Sequence, residues 1–242
     1  MPRRDLPTQP ARWQPRLARG RWCASLPPSG QTQRLALAVP QTWPTGTTVF
    51  TRGDANSGLY AVLDGAIRIG AADASGEREA VLGLLGPAQW FGEIACLDGG
   101  VRTHDAHAKV ASTGLLVPLA ALQAWLQEEP LLWRHLGQLL AEKVRALFTG
   151  LEELSLLSPP QRVARRLLAM AQGHGMLVPG AALREVAVNQ DQLGAMLSLS
   201  RQTVSEVLRD FEARGLVRRG YGVVALLDPA GLAALGQAPA AP

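Results

Sequence analysis

The spacing of apolar residues changes twice along this chain. From Thr47 to Leu119 apolar and polar positions alternate over short runs, at 47–50, 59–63, 66–69, 79–85, 89–91, 106–110 and 115–119. A period of two marks half-buried strands, and Gly76, Gly86-Pro87 and Gly99-Gly100 separate the runs. Asp64-Gly65 between two such runs predicts a hairpin. Short strands at this even spacing predict a small antiparallel β-roll or barrel.

Past the strands the period lengthens. Ala120 to Gln127 predicts a short helix stopped before Pro130, and Leu131 to Leu157 predicts a long one interrupted only by Gly137. Within it Leu140, Val144, Leu147, Leu151 and Leu154 are spaced four, three, four, three, the seam of a coiled-coil pair. At about 1.5 Å per residue the helix is ~40 Å long, more than one small β-domain covers, so pairing of two copies is expected. Ser158-Pro159-Pro160 restarts the chain as a new helix, with Val163, Leu167, Leu168 and Ala171 on its buried side and Gly173-His174-Gly175 at its end. The domain boundary falls at Leu157-Ser158. A strand within 182–188 and a last helical turn over 230–235 complete the pattern.

Between them lies the most informative stretch, Asn189 to Gly222. Leu193, Met196 and Leu197, then Val204, Val207, Leu208 and Phe211, fit two amphipathic helices, and Ser198-Leu199-Ser200 leaves room for only a tight turn. Asn189 with Gln192 has capping-box spacing, and Ser200 caps the second helix. Gly194 lets the helices approach, while Val204 locks them together. Opposite the apolar stripe the second helix carries Arg201, Gln202, Ser205, Glu206 and Arg209, able to reach base edges or phosphates. This pattern is a helix-turn-helix. Gly215 ends the second helix, and Leu216 to Leu226 reads as strand, turn and strand, a wing bearing Arg218 and Arg219.

Charge sharpens the division. Residues 1–34 hold seven Arg against one Asp, residues 35–159 eight basic against thirteen acidic, and residues 160–242 nine basic against six acidic. A basic C-terminal part suits a polyanionic partner. Residues 1–34, with Pro, Arg and Trp in no usable period, read as a flexible basic tail that gains a helix near Thr32 to Ala38. Cys23 and Cys96 match no metal spacing, and His104 and His107 read as surface or core residues, so no metal site is expected. No Ser-His-Asp or paired-carboxylate arrangement stands out, which argues against an enzyme. Apolar runs fall short of the roughly 18 residues that span a bilayer, which predicts a cytoplasmic protein with no membrane partner.

A second constellation is Trp90-Phe91-Gly92-Glu93-Ile94-Ala95, followed by Arg102-Thr103. A glycine bend into a short helix presents backbone N–H groups to an anion, Arg102 neutralises it, and Glu93 accepts from a hydroxyl. A structural Glu–Arg ion pair is the alternative. Taken with 58–65 (GLYAVLDG) and Ser200-Arg201-Gln202-Thr203-Val204, these motifs make residues 35–228 resemble the CRP/FNR family of bacterial transcription regulators.

The resemblance implies an α+β architecture: an antiparallel, cyclic-nucleotide-binding-like β-roll over 35–130, a dimerisation helix over 131–157 and a winged helix-turn-helix DNA-binding domain over 158–235. It implies a homodimer on an inverted repeat of double-stranded DNA, RNA polymerase as a further partner, and a small effector, a cyclic nucleotide or another, held by Gly92, Glu93, Ile94, Ala95, Arg102 and Thr103. No resident cofactor is called for. Arg201 would then meet a guanine, Gln202 an adenine or a phosphate and Glu206 the amino group of a cytosine, with Ser205 able to reach either bases or phosphates, while Ser200, Thr203, Arg209, Arg218 and Arg219 hold the backbone. The chain departs from the family in three places. Leu147-Phe148 stands where cAMP receptors present a Thr-Ser pair to the purine, and each unpaired polar edge costs about 1–3 kcal/mol, so cAMP is disfavoured. Glu206 stands where Arg is frequent, and Ser198 where a turn glycine is common. A ligand-binding module that docks on a partner protein instead of DNA is the rival reading.

Overall fold

The computed structural model describes residues 12–72 and 79–237; residues 1–11 of the expected tail and the turn at Gly76 lie outside that range. Helices α1 (Gln14–Leu17), α2 (Arg21–Ser25) and α3 (Pro28–Leu37) come first. Strands β1 (Val39–Trp43), β2 (Thr48–Phe50), β3 (Gly58–Asp64), β4 (Ile67–Ala72), β5 (Glu79–Leu85) and β6 (Trp90–Phe91) follow. After α4 (Glu93–Asp98) come β7 (Asp105–Ala108), β8 (Ser112–Pro118), α5 (Leu119–Glu128) and the long α6 (Leu131–Leu156). The strands form two antiparallel sheets, ordered β1-β8-β3-β6 and β2-β7-β4-β5, which is the expected β-roll within an α+β fold.

Trp43, Phe50, Tyr60, Val62, Ile67 and Phe91 fill the space between the sheets. Tyr60 and Phe91 stack with ring centroids 5.3 Å apart. Two expectations are corrected here. Asp64-Gly65 is not a hairpin turn: β3 pairs with β8 and β6, whereas β4 pairs with β5 and β7, so the chain changes sheet at this point. Gly65, at φ +90°, makes the corner against Ser112, whose Oγ accepts from the Ala66 N–H at 3.0 Å. A Cβ at residue 65 would meet that oxygen at 2.3 Å.

The expectation of a flexible tail also fails for residues 12–34. Trp13, Leu17, Trp22, Cys23, Leu26 and Leu35 are buried against Leu59, Ala61 and Leu63 on the outer face of β3 and against the start of α6. The Trp22 indole donates to the His135 carbonyl at 2.6 Å, and the Trp90 indole to the Cys23 sulfur at 2.9 Å. No single period links these apolar residues because they come from three short helices that each turn a different face inward. The helix expected near Thr32 runs instead from Pro28 to Leu37. With both faces covered, β3 is buried from Gly58 to Leu63.

Helix α6 has two halves. Leu132, Leu136 and Leu139 are buried against the chain's own domain. Beyond them Val144, Leu147, Phe148 and Leu151 are exposed, so the second half of the predicted seam is uncovered in the single chain. Helix α7 (Pro159–Ala171) starts from a Ser158–Gln161 capping box and ends at a 3-10 turn, Gly173–Gly175. Then come β9 (Glu185–Val186), α8 (Gln190–Leu197), α9 (Arg201–Ala213), β10 (Val217–Gly220), β11 (Val223–Leu226) and α10 (Pro229–Gln237). Val163, Leu167, Leu193, Val204, Phe211, Val217 and Leu232 share their core. Val81 and Leu84 of β5 extend that core into the β-roll.

Candidate nucleic-acid interface and effector site

Local chemistry fixes the α8–α9 pair. Asn189 Oδ1 accepts the Gln192 N–H at 2.8 Å while Gln192 Oε1 accepts the Asn189 N–H at 3.1 Å, and Ser200 Oγ accepts the Thr203 N–H at 3.0 Å. Ser198 adopts the left-handed conformation (φ 53°) between the helices, which is why glycine suits that turn and why serine carries a small strain there. A Cβ on Gly194 would sit 2.7 Å from the Leu199 carbonyl, so the close approach requires glycine.

This packing leaves the polar side of α9 outward. Arg201, Gln202, Glu206 and Arg209 are exposed and, with half-buried Ser205, line a shallow depression that Gln190 completes. Gln202 Nε2 donates to Glu206 Oε1 at 3.1 Å, and the Arg201 guanidinium lies 3.7 Å from Asp191. Sequence reasoning missed Gln190 and Asp191, although both follow the capping Asn189 at the end of α8 that abuts α9. On the wing, β10 and β11 pair as predicted, Arg218 is exposed and Tyr221 caps the tip. Arg219 is engaged: its guanidinium lies 2.6 Å from Glu212, and with its own N–H it holds that carboxyl below the usual carboxylate range. Arg218 is therefore the freer wing cation of the two.

The second site is closed on itself. Gly92 (φ +90°) turns the chain into α4, and a Cβ there would meet the Arg102 guanidinium at 2.6 Å. Arg102, 2% exposed, donates through Nη1 to the Gly92 carbonyl (3.0 Å) and through Nη2 to the Gly58 carbonyl (2.7 Å) and Ser57 Oγ (3.0 Å). Its guanidinium also lies over the Phe50 ring, 4.4 Å from the centroid. Its Nε is buried without a partner, and burial pulls its pKa below the ordinary arginine value.

Glu93 is likewise 2% exposed, and its Oε2 accepts from Lys143 Nζ of α6 at 2.6 Å. The alternative of a Glu93–Arg102 pair is thus corrected, and Glu93 shares one carboxylate oxygen with Lys143. The partner is a lysine fifty residues away, a link that only the docking of α6 creates. Its one sequence signal is being one of the chain's two lysines, set in a largely apolar helix. Ile94 and Ala95 continue the first turn of α4, whereas Thr103 is exposed and its hydroxyl lies 2.9 Å from His104 Nδ1. Leu147 and Phe148 face solvent, 59% and 60% exposed.

A β-roll of this kind, a long helix and a winged helix-turn-helix together define a class of DNA-binding transcription regulators. Residues 40–129 match the family model for the cyclic nucleotide-binding domain, and residues 161–235 that for the Crp-like helix-turn-helix domain. The chain belongs to the CRP/FNR family. It is 32% identical over 179 residues to the CRP-like cAMP-activated global transcriptional regulator of Mycobacterium tuberculosis, covering 74% of this chain and 80% of that protein. To the cyclic AMP receptor protein of Thermus thermophilus it is 35% identical over 190 residues, 78% of this chain and 83% of that one. The crystal structure of a CRP/FNR-family transcriptional regulator from the same organism superposes with a TM-score of 0.63 at 26% identity, covering 83% of this chain and 99% of that one. No helix among the described residues is long and apolar enough to cross a membrane.

Proposed function

We propose that this protein is a homodimeric, sequence-specific DNA-binding regulator whose operator affinity is tuned by a small anionic effector in the β-roll. The observation that carries the reading is the outward polar face of α9, held in place by the Ser200 cap and the Gly194 contact. Arg201 suits the O6 and N7 acceptors of a guanine, and the Gln202–Glu206 pair presents an amide donor and a carboxylate acceptor to neighbouring bases. Arg209, Arg218, Ser200 and Thr203 hold phosphates. The exposed stretch Val144, Leu147, Phe148, Leu151 is covered by a second copy. Two-fold symmetry then places two α9 helices about 34 Å apart, on an inverted repeat.

At the effector site the orphaned Nε of Arg102 and the left-handed Gly92 fit an anion such as a cyclic phosphate. Such a ligand can take the free Nε, and it gains the two terminal nitrogens by competing with the Gly58 and Gly92 carbonyls, while a sugar hydroxyl can donate to the Glu93 oxygen that Lys143 leaves open. Leu147 and Phe148 supply no polar group for a purine edge, so the effector differs from cAMP or binds its base differently.

Selection from a random duplex pool followed by sequencing tests the reading, with an inverted repeat expected. Leu147→Glu/Leu151→Glu, which puts charge on the seam, should yield a monomer by sedimentation with operator binding weakened at least about a hundredfold. Recovery of no preferred sequence, or a monomeric charged variant that binds as tightly as the parent, contradicts it.

A further inference from the structure

The N-terminal layer, residues 12–37, precedes both matched domains, yet it touches both halves of the molecule. Gly20 forms an antiparallel bridge with Leu177, in the segment that joins α7 to β9. Around it the Arg21 N–H donates to the Met176 carbonyl at 2.8 Å and the Val178 N–H to the Arg19 carbonyl at 2.8 Å. Two side chains reinforce the bridge: Arg19 Nη2 donates to the Ala181 carbonyl at 2.9 Å, and Arg21 Nη1 to the Gly175 carbonyl at 3.1 Å. The β-roll grips the same segment from the other side. Gln89 Nε2 donates to the Gly173 carbonyl at 2.7 Å, and Ala88 packs with Leu177 and Ala181. Gly20 is pressed so closely between the two that a Cβ would lie 2.4 Å from the Ala88 carbonyl.

Segment 173–181 joins α7 to β9 within the domain that carries α9, so a grip on it, together with the packing of Val81 and Leu84 of β5 into that core, holds α9 relative to the β-roll. In the same structure Arg102 and Glu93 are tied to the chain's own groups, Arg102 to the Gly58 and Gly92 carbonyls and Glu93 to Lys143. We propose that residues 12–37 form a clasp that holds the DNA-binding domain against the β-roll in the resting state, and that opening the clasp raises operator affinity. The proposal rests on the DNA-binding reading above. The clasp and the cassette meet through one body: Trp22 of α2 bonds the His135 carbonyl on α6, the helix whose Lys143 holds Glu93. A ligand that draws Glu93 from Lys143 therefore loosens α6 against the layer that carries the bridge.

The test uses the full-length chain with Arg19→Ala/Arg21→Ala, which removes two exposed side chains and leaves the buried Trp13, Leu17 and Trp22 in place. Leu177→Ser, which loosens the bridge from its apolar side, is the second variant. Amide hydrogen exchange at Arg21 and Val178 should accelerate at least about tenfold while β3 and β8 keep their protection. Without added effector, both variants should bind the selected operator about three- to tenfold more tightly than the parent. Unchanged exchange at those two amides, or faster exchange with operator affinity equal to or below the parent's, overturns the clasp. A parent protein that selects no operator overturns the DNA-binding reading and this regulatory role with it; that failure is distinct because it appears before any substitution.

Discussion

On α9, Arg201, Gln202, Glu206 and Arg209 are exposed, with Gln202 bonded to Glu206 and Arg201 beside Asp191, whereas in the β-roll Arg102 and Glu93 are enclosed and bonded to the chain itself. The first region needs no rearrangement to meet a ligand, since its caps and helix packing already fix where the side chains start. The second already spends most of its donors and acceptors on internal bonds, so a ligand there competes with the chain's own groups. A preorganised surface suits recognition. A self-satisfied pocket suits regulation, because a ligand entering it must shift neighbours that reach α6 and the N-terminal layer.

The contrast can be broken most directly at Arg102. Arg102→Leu strands the Gly58 and Gly92 carbonyls, so the fold should lose about 2–5 kcal/mol in urea melts, together with any effector response. Unchanged stability would mean those bonds hold nothing together. Acid offers a way to weaken the C-terminal domain through a residue outside its polar face. Burial, with Arg166 beside it, lowers the pKa of His174 to about 4, and its Nε2 has no partner. The unfolded chain binds a proton there near pH 6.5, so the stability is present above that pH and falls as pH drops from 6.5 towards 4. The loss is up to about 3 kcal/mol. In His174→Asn, which tolerates the left-handed backbone at this position, the pH dependence of the melting midpoint should flatten over that range.

Lys143→Met leaves the Glu93 carboxylate buried without its partner, and about 2–3 kcal/mol of stability should go. Urea melts read the loss, and a variant as stable as the parent would mean the pair holds nothing together. Arg201→Ala should leave melting unaltered and cost about 1–3 kcal/mol of discrimination at a single base pair, read by titrating operator variants. Smallest of all, Arg218→Ala should weaken every duplex by about two- to fivefold and lower the slope of log affinity against log salt by about one.

Much of this molecule was legible because its signals are local. The Asn189–Gln192 and Ser200 caps, the Gly194 approach, the wing and the extent of α6 each depend on residues within a few positions of one another. Strand positions from Thr47 onward followed from alternation for the same reason, whereas β1 (Val39–Trp43), which pairs with the distant β8, did not. Pairing did not: Asp64-Gly65 has the composition of a hairpin turn, and only the packing of Ser112 beneath Gly65 makes it a corner between sheets. The N-terminal layer was misread because Trp13, Trp22 and Leu35 are buried by partners on β3, β6 and α6, none of them near in sequence.

The sequence by itself determined the order of the modules, the helix-turn-helix and the polar residues of α9, since caps, turns and amphipathic periods act over one or two turns of chain. Tertiary structure alone decided that Lys143 holds Glu93, that Arg102 closes on Gly58 and Gly92, and that Gly20 bridges to Leu177. Those contacts join groups far apart along the chain, and their partners become defined only when the sheets close and α6 docks.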